Sequence, residues 1–179
     1  MQKRNLSLGN VRTVTTAAML VAMSVVIGIF CKTFLNFGMG LFRVTFENLP
    51  IILSGILYGP LVGGLVGLAS DVVSYLLSGQ AYPLNLVVSL GAMAVGVTSG
   101  LVSHYLVKKQ GRAQVILSAS AAHLVGSMII KPLGLYQFYG ILVLWRIPLY
   151  LIIAPLEILL LCWLFGRDSF RRVVGKKEK

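Results

Sequence analysis

Long, almost uncharged apolar segments constrain this chain more than any other feature of its sequence. The segments at about 12–31 and about 149–165 are two examples. Such a segment is typical of a helix that crosses a lipid bilayer, which needs about 20 mostly apolar residues. Hydrophobic residues make up 57% of the chain and charged residues only 12%, whereas soluble domains are about 25% charged. This composition excludes an ordinary soluble enzyme, a disordered chain and a disulfide scaffold.

The spacing of these segments predicts an all-α integral membrane protein with six transmembrane helices in a compact bundle. We expect residues 1–179 to form a single membrane domain, with the second span interrupted by Pro50. Long outer connections, rich in aromatic residues, are expected between spans one and two and between spans five and six. The predicted spans are about 12–31, 46–58, 61–77, 84–107, 113–130 and 149–165.

The basic residues predict how the bundle lies in the membrane. A net charge of +11 in a soluble protein would suggest nucleic acid as a partner. Here 12 of the 16 Lys and Arg residues fall in segments that are cytoplasmic if the N-terminus is inside, and 4 fall outside. Cytoplasmic loops of membrane proteins carry this excess. The sequence therefore predicts a multi-pass membrane protein with both termini in the cytoplasm, and no nucleic-acid partner.

Small residues recur every fourth position in the predicted spans. Gly55, Gly59, Gly63 and Gly67 form one series, and Ala92, Gly96 and Gly100 form another. Ala18 and Ala22 have the same spacing on the first span. Residues spaced in this way let helix backbones approach closely in a membrane, so we expect tight packing between these helices.

Polar and aromatic residues gather in the predicted outer half of the bundle. Ionisable groups inside a bilayer are costly, at about 2.5–3.5 kcal/mol each, and they usually face a cavity or a partner. The pattern therefore predicts a polar cavity that is closed below and reachable from outside. Its candidate substrate-binding residues are Arg43, Asp71, Tyr75, Gln80, Asn85, His123, Lys131, Tyr136, Arg146, Tyr150 and Glu157.

A structural role is the competing interpretation for several of these residues. Lys131 and Arg146 are also placed to snorkel to the membrane interface. His123 is equally consistent with a hydrogen bond between helices. Asp71 and Glu157 are equally consistent with an internal pair or cap that orders the bundle.

The chain lacks the motifs of the common catalytic and nucleotide-binding sites. It contains no P-loop, no HExxH and no nucleophile elbow. Its two cysteines have no metal-ligand spacing. We therefore expect no enzymatic activity, no cofactor and no metal site. A self-sufficient channel or small carrier remains an alternative, as does a membrane enzyme that uses Glu157, Asp71 or His123 as an acid or base.

Three motifs resemble the substrate-binding S components of energy-coupling factor (ECF) vitamin transporters. The run Gly55–Gly67, followed by Asp71, is similar to their second and third helices. The stretch Arg43–Pro50 resembles the segment that leads into the second helix, and Ala18 with Ala22 matches an AxxxA motif of the first helix. Among S components, the sequence is most similar to the folate-specific branch.

The resemblance implies a subunit of the bacterial cell membrane that binds one vitamin, folate, with high affinity from outside. It implies docking through Ala18 and Ala22 onto a transmembrane coupling subunit that carries two ATPases. Lys131 and Arg146 are then candidates for the folate carboxylates, and aromatic residues such as Tyr75 are candidates for stacking on its rings. Another vitamin is the alternative substrate within the same family.

Overall fold

The chain folds into a bundle of helices in our computed structural model, which describes residues 11–37, 42–77, 85–107 and 111–166. The predicted all-α fold class is confirmed. The helices are α1 (Val11–Phe34), α2 (Asn48–Tyr58), α3 (Pro60–Leu77), α4 (Leu86–Leu101), α5 (Arg112–Ala122), α6 (Lys131–Tyr139) and α7 (Arg146–Gly166). Short π-helical segments, Val102–Leu106 and His123–Ile130, continue α4 and α5.

Five helical segments are long and apolar enough to cross a membrane within the described part of the chain. The second predicted span, 46–58, corresponds to α2, which has only 11 residues and at about 1.5 Å per residue covers roughly half of a bilayer core. Pro50 does not interrupt it, because α2 begins at Asn48 and Pro50 therefore lies in its first turn. A missing N–H costs no intrahelical hydrogen bond at that position.

The two predicted connections contain regular structure. The first includes a short antiparallel pair of strands, β1 (Asn36–Phe37) and β2 (Phe42–Arg43). The second begins with α6, which follows the π-helical segment directly, and continues as the 3₁₀ turn Gly140–Trp145. Pro132 is compatible with this helix because it occupies one of the first positions. The predicted connection after Lys131 is therefore largely helical.

The two series of small residues face each other, which gives the tight helix packing that the sequence predicts. An added Cβ at Gly63 would lie 2.5 Å from the carbonyl oxygen of Gly96, and one at Gly67 would collide with the carbonyl of Ala92. A Cβ at Gly55 would also lie 2.5 Å from the carbonyl oxygen of Gly96. The backbones of α2, α3 and α4 are therefore in direct contact, which fixes these three helices relative to each other.

A sharp turn at Gly59 makes this three-helix contact possible. Gly59 has φ +92°, a backbone conformation that residues with a Cβ rarely adopt. Pro60 then begins α3. The turn reverses the chain within one residue, so that Gly55 on α2 and Gly63 on α3 both reach Gly96 on α4.

The π-helical segment after α5 carries a row of polar residues into the bundle. His123, Ser127 and Lys131, which are spaced by four, are 1%, 0% and 5% exposed. Short π-helical segments are frequent at functional sites because their wider turns redirect side chains. This row places one basic side chain, Lys131, at the end of the bundle where α1 and α3 end and α2 and α4 begin. We call this the cavity end.

Gly63→Ala tests the close helix contact. The new Cβ would collide with the Gly96 carbonyl, and backbone atoms cannot move away as a flexible side chain can. We expect a loss of about 1–3 kcal/mol in the free energy of unfolding, as for overpacked cores. Unfolding of the purified protein in detergent measures it. Gly166→Ala is the control, because a Cβ there meets nothing within 4 Å. Equal stability of the two variants would contradict the contact.

Candidate substrate-binding cavity

A polar cavity lies at the cavity end, between α1, α2, α3, α4 and α6. The groups that line it include two carboxylates, one ammonium and three hydroxyls. It contains Asp71 and Lys131 of the predicted site, and the two come from different helices. The lining residues are Ser24, Glu47, Ile51, Ser70, Asp71, Ser74, Ala92 and Lys131.

Lys131 is the charged centre of one wall. Its Nζ donates a hydrogen bond to Asn48 Oδ1 at 2.9 Å and lies 3.6 Å from Glu47 Oε1. Asn48 is completely buried, and its Nδ2 donates in turn to Ser127 Oγ at 3.4 Å. Buried cations in a membrane protein need such partners. The network therefore explains how an ammonium that is only 5% exposed is accommodated, without snorkelling to the interface.

Glu47 is held at the start of α2 by contacts with α1. Ser24 Oγ donates a hydrogen bond to the Glu47 carbonyl oxygen at 2.7 Å. Gly28 leaves room for the carboxylate, because an added Cβ there would lie 3.0 Å from Glu47 Oε2. The position immediately before a helix also favours a negative charge, since the first N–H groups of α2 point toward it. These contacts place the Glu47 carboxylate beside Lys131.

Asp71 and Ser70 form the wall contributed by α3. Asp71 Oδ2 accepts a hydrogen bond from Ser89 Oγ on α4 at 2.6 Å. Ser70 is 2% exposed, and its hydroxyl has no hydrogen-bond partner among the described residues. Unpaired buried hydroxyls are uncommon and costly. Because Ser70 lines the cavity, its hydroxyl and the second Asp71 oxygen offer hydrogen-bonding capacity to a polar ligand.

The cavity is small in this conformation. It has room for about one water molecule, whereas pockets for ligands of vitamin or drug size usually measure about 300–1,000 Å³. A ligand of that size therefore requires the surrounding side chains or helices to move apart.

His123 and Glu157 form a separate pair that does not line the cavity. His123 Nε2 lies 2.7 Å from Glu157 Oε2, and the two side chains are 1% and 0% exposed. The opposite atoms, His123 Nδ1 and Glu157 Oε1, have no hydrogen-bond partner among the described residues. The pair connects the π-helical segment to α7, which corresponds to the internal pairing that the sequence left open for Glu157.

The remaining predicted residues have varied positions. Asn85 caps α4 by accepting a hydrogen bond from the Val87 N–H at 2.9 Å, and it also donates to the carbonyl of Gly134. Tyr150 is buried, Tyr75 is partly buried, and Tyr136 is 58% exposed. A role of these residues in ligand binding stays a prediction.

The side chains of three further predicted site residues lie outside the described part of the structure. Gln80 lies outside the described residues. The backbones of Arg43 and Arg146 belong to β2 and α7, but their side chains lie outside the described part of the structure.

Several lining residues were absent from the predicted site. Ser24, Ser70 and Ser74 are single hydroxyls in apolar helices, and a serine in a membrane helix more often serves helix packing. Glu47 and Asn48 had a stronger signal, since a Glu-Asn pair directly before an apolar segment is unusual. Their orientation toward Lys131 depends on the distant α6, so local sequence could not reveal it.

The predicted docking residues lie on the outside of the bundle. Ala18 and Ala22 are both exposed on α1, whereas Leu20 and Ser24 of the same helix are buried. The small pair therefore does not pack within this chain, and it leaves a shallow surface on which another helix can approach closely.

Comparison with known proteins identifies the family. The profile of a family described as "ECF transporter, substrate-specific component" matches residues 12–167, most of the chain. The chain belongs to this family. It is a membrane-embedded, substrate-binding component of a transporter, and not an enzyme. No curated protein matches the sequence.

Two solved structures share the fold. A crystal structure of FolT bound with folic acid aligns with a TM-score of 0.68 and 23% identity, covering 88% of this chain and 96% of that one. The S component of a bacterial ECF transporter aligns with a TM-score of 0.62 and 22% identity, covering 94% and 98%. At these identities the likeness shows the fold alone.

Glu157→Leu tests the structural role of the buried pair. Removing one partner leaves His123 buried without the group that it faces, and an unsatisfied buried polar group typically costs about 1–3 kcal/mol of stability. We expect the double variant His123→Leu/Glu157→Leu to regain most of the loss, because two apolar residues need no partner. Chemical unfolding in detergent measures both. A single variant as stable as the wild type would show that the pair contributes little.

Proposed function

We propose that this chain is the high-affinity folate-binding subunit of an ATP-driven ECF importer of the bacterial cell membrane. The observation that carries the proposal is the polar cavity, in which a buried Ser70 hydroxyl and the Asp71 carboxylate have unused hydrogen-bonding capacity. The fold likeness to a FolT that binds folic acid adds support for the substrate.

The charges of the cavity suggest how folate would bind. Glu47 and Asp71 outnumber the single cation, Lys131, so the lining carries a net negative charge. A carboxylate accepts hydrogen bonds but cannot donate them. The pterin ring of folate is uncharged and presents adjacent N–H donors on its pyrimidine edge. We therefore assign the cavity to the pterin end, with Asp71 and Glu47 as acceptors.

The glutamate tail of folate would lie nearer the mouth. Its two carboxylates would be repelled by Glu47 and Asp71 and attracted by basic groups. Lys131 is already bonded to Asn48 and close to Glu47, so a ligand carboxylate would have to compete with Glu47 for it. Arg43 in β2 and Arg146, the first residue of α7, are our candidates for the tail.

The distribution of charge sets the proposed orientation. With both termini in the cytoplasm, as the excess of basic residues predicts, the cavity end faces outward and receives the vitamin from outside. Delivery would then require a transmembrane coupling subunit and two ATPases, since the chain has no nucleotide-binding P-loop. The exposed Ala18 and Ala22 are the proposed docking surface for that subunit.

Asp71→Asn, studied with a panel of vitamins, tests the substrate. We expect the isolated wild-type protein to bind folic acid stoichiometrically and without ATP. The variant should lose about 1–1.5 kcal/mol of binding free energy, because the hydrogen bond that the ligand donates to a carboxylate becomes a weaker one to a neutral amide. Isothermal titration calorimetry in detergent measures both values.

The control for this experiment is Gln114→Ala. Gln114 donates to Ser103 at the opposite end of the bundle, so folic acid should bind this variant as it binds the wild type. Binding of a different vitamin alone would overturn the folate assignment. Transport of folic acid into liposomes by this chain alone would contradict the proposal that delivery requires a coupling subunit and two ATPases.

Ala18→Trp and Ala22→Trp test the docking surface. A bulky ring would prevent the close approach of a partner helix, while ligand affinity should not change because neither residue lines the cavity. Co-purification with co-expressed coupling and ATPase subunits measures assembly. Leu159→Trp, on an exposed position of α7, is the matched control. Normal assembly of both alanine variants would refute the assignment.

A further inference from the structure

Gly91, on α4, lies directly against the side chain of Lys131. A Cβ added at Gly91 would lie 2.7 Å from Lys131 Cγ and 3.3 Å from the Lys131 backbone nitrogen. No real Cβ makes a 2.7 Å contact of this kind, so one of the two groups would have to move. The Lys131 side chain is the more mobile group, because its backbone is part of α6.

A movement of the Lys131 side chain would disturb the contacts of its ammonium group. Its Nζ reaches Asn48 Oδ1 at 2.9 Å and Glu47 Oε1 at 3.6 Å, both at the start of α2. The aliphatic stem must therefore lie flat against α4 to bring the ammonium to α2. Only a residue without a side chain at position 91 leaves that path open.

We propose that Gly91 is a positioning residue for the substrate-binding cavity, because it lets the Lys131 stem lie along α4 and so sets the place of the ammonium. It touches no substrate itself and acts through Lys131. Two experiments test this proposal. The measurement of folic acid binding rests on the proposed function, whereas the chemical labelling of Lys131 requires no ligand.

Chemical labelling of Lys131 in the Gly91→Ala variant provides the test without a ligand. Lys131 is 5% exposed, so an amine-acetylating reagent should modify it slowly in the folded wild type. The variant should push Nζ away from Asn48, and labelling at Lys131, followed by mass spectrometry, should rise severalfold. Gly64→Ala is the matched control, since its Cβ would also lie 2.7 Å from a side chain, that of Val97, but away from the cavity.

A double-mutant cycle separates positioning from general packing. Gly91→Ala should weaken folic acid binding by about tenfold, as expected when a charged hydrogen-bond network is displaced. In a Lys131→Ala background the same change should have a much smaller effect, because the 2.7 Å contact with Cγ is gone and only the contacts at 3.3 Å with Ile130 Cγ2 and the backbone nitrogen of residue 131 remain. Full additivity of the two changes would overturn the proposal.

The remaining outcomes are also decisive. If Gly91→Ala does not fold, the double variant Gly91→Ala/Lys131→Ala should restore expression and thermal stability, and failure to restore them would refute a clash with Lys131. Unchanged Lys131 labelling in a folded Gly91→Ala variant would refute it as well. If the wild type binds no folic acid, the proposed substrate is wrong, and the labelling result still decides the role of Gly91.

Discussion

Backbone contact between α3 and α4 is the constraint on which the rest of this structure depends. Gly63 meets the carbonyl of Gly96, and one turn further along Gly67 meets that of Ala92. The same face of α3 then reaches Asp71, which accepts a hydrogen bond from Ser89. Because the two helices are already in contact, a short hydroxyl can reach the carboxylate. Helix packing and the polar cavity are therefore successive parts of one interface.

The charges of the bundle are accommodated in two different ways. His123 and Glu157 are buried and face each other at 2.7 Å across one helix contact, and their outer atoms, His123 Nδ1 and Glu157 Oε1, have no hydrogen-bond partner among the described residues. Lys131 and Glu47 instead border a cavity, and Ser70 in the same lining lacks a partner among the described residues. A buried polar group with a partner stabilises a bundle, whereas one without a partner is destabilising unless something else supplies the hydrogen bond. We place the substrate beside Lys131 and Asp71 because these residues line a cavity, whereas His123 and Glu157 do not.

Glycines have two separate roles in this arrangement. Those between α2, α3 and α4 allow backbones to touch, as their spacing predicts. Gly28 and Gly91 instead lie against the side chains of Glu47 and Lys131. No spacing rule reveals the second role, because the partner residue comes from a helix that is distant in sequence. A glycine that makes room for a charged side chain has the same local sequence signal as one that packs two helices.

The sequence alone determined the membrane bundle, the family and the close packing of the helices that carry the small residues, because hydropathy and residue spacing are local properties. It also indicated Asp71 and Lys131, since ionisable residues in apolar segments are rare. Only the tertiary structure decided that Glu157 pairs with His123, that α6 is helical, and that Asn48, Glu47 and Ser70 join Lys131 and Asp71. Those outcomes depend on which helix faces meet across the bundle, and such long-range contacts leave no periodic signal in a single sequence.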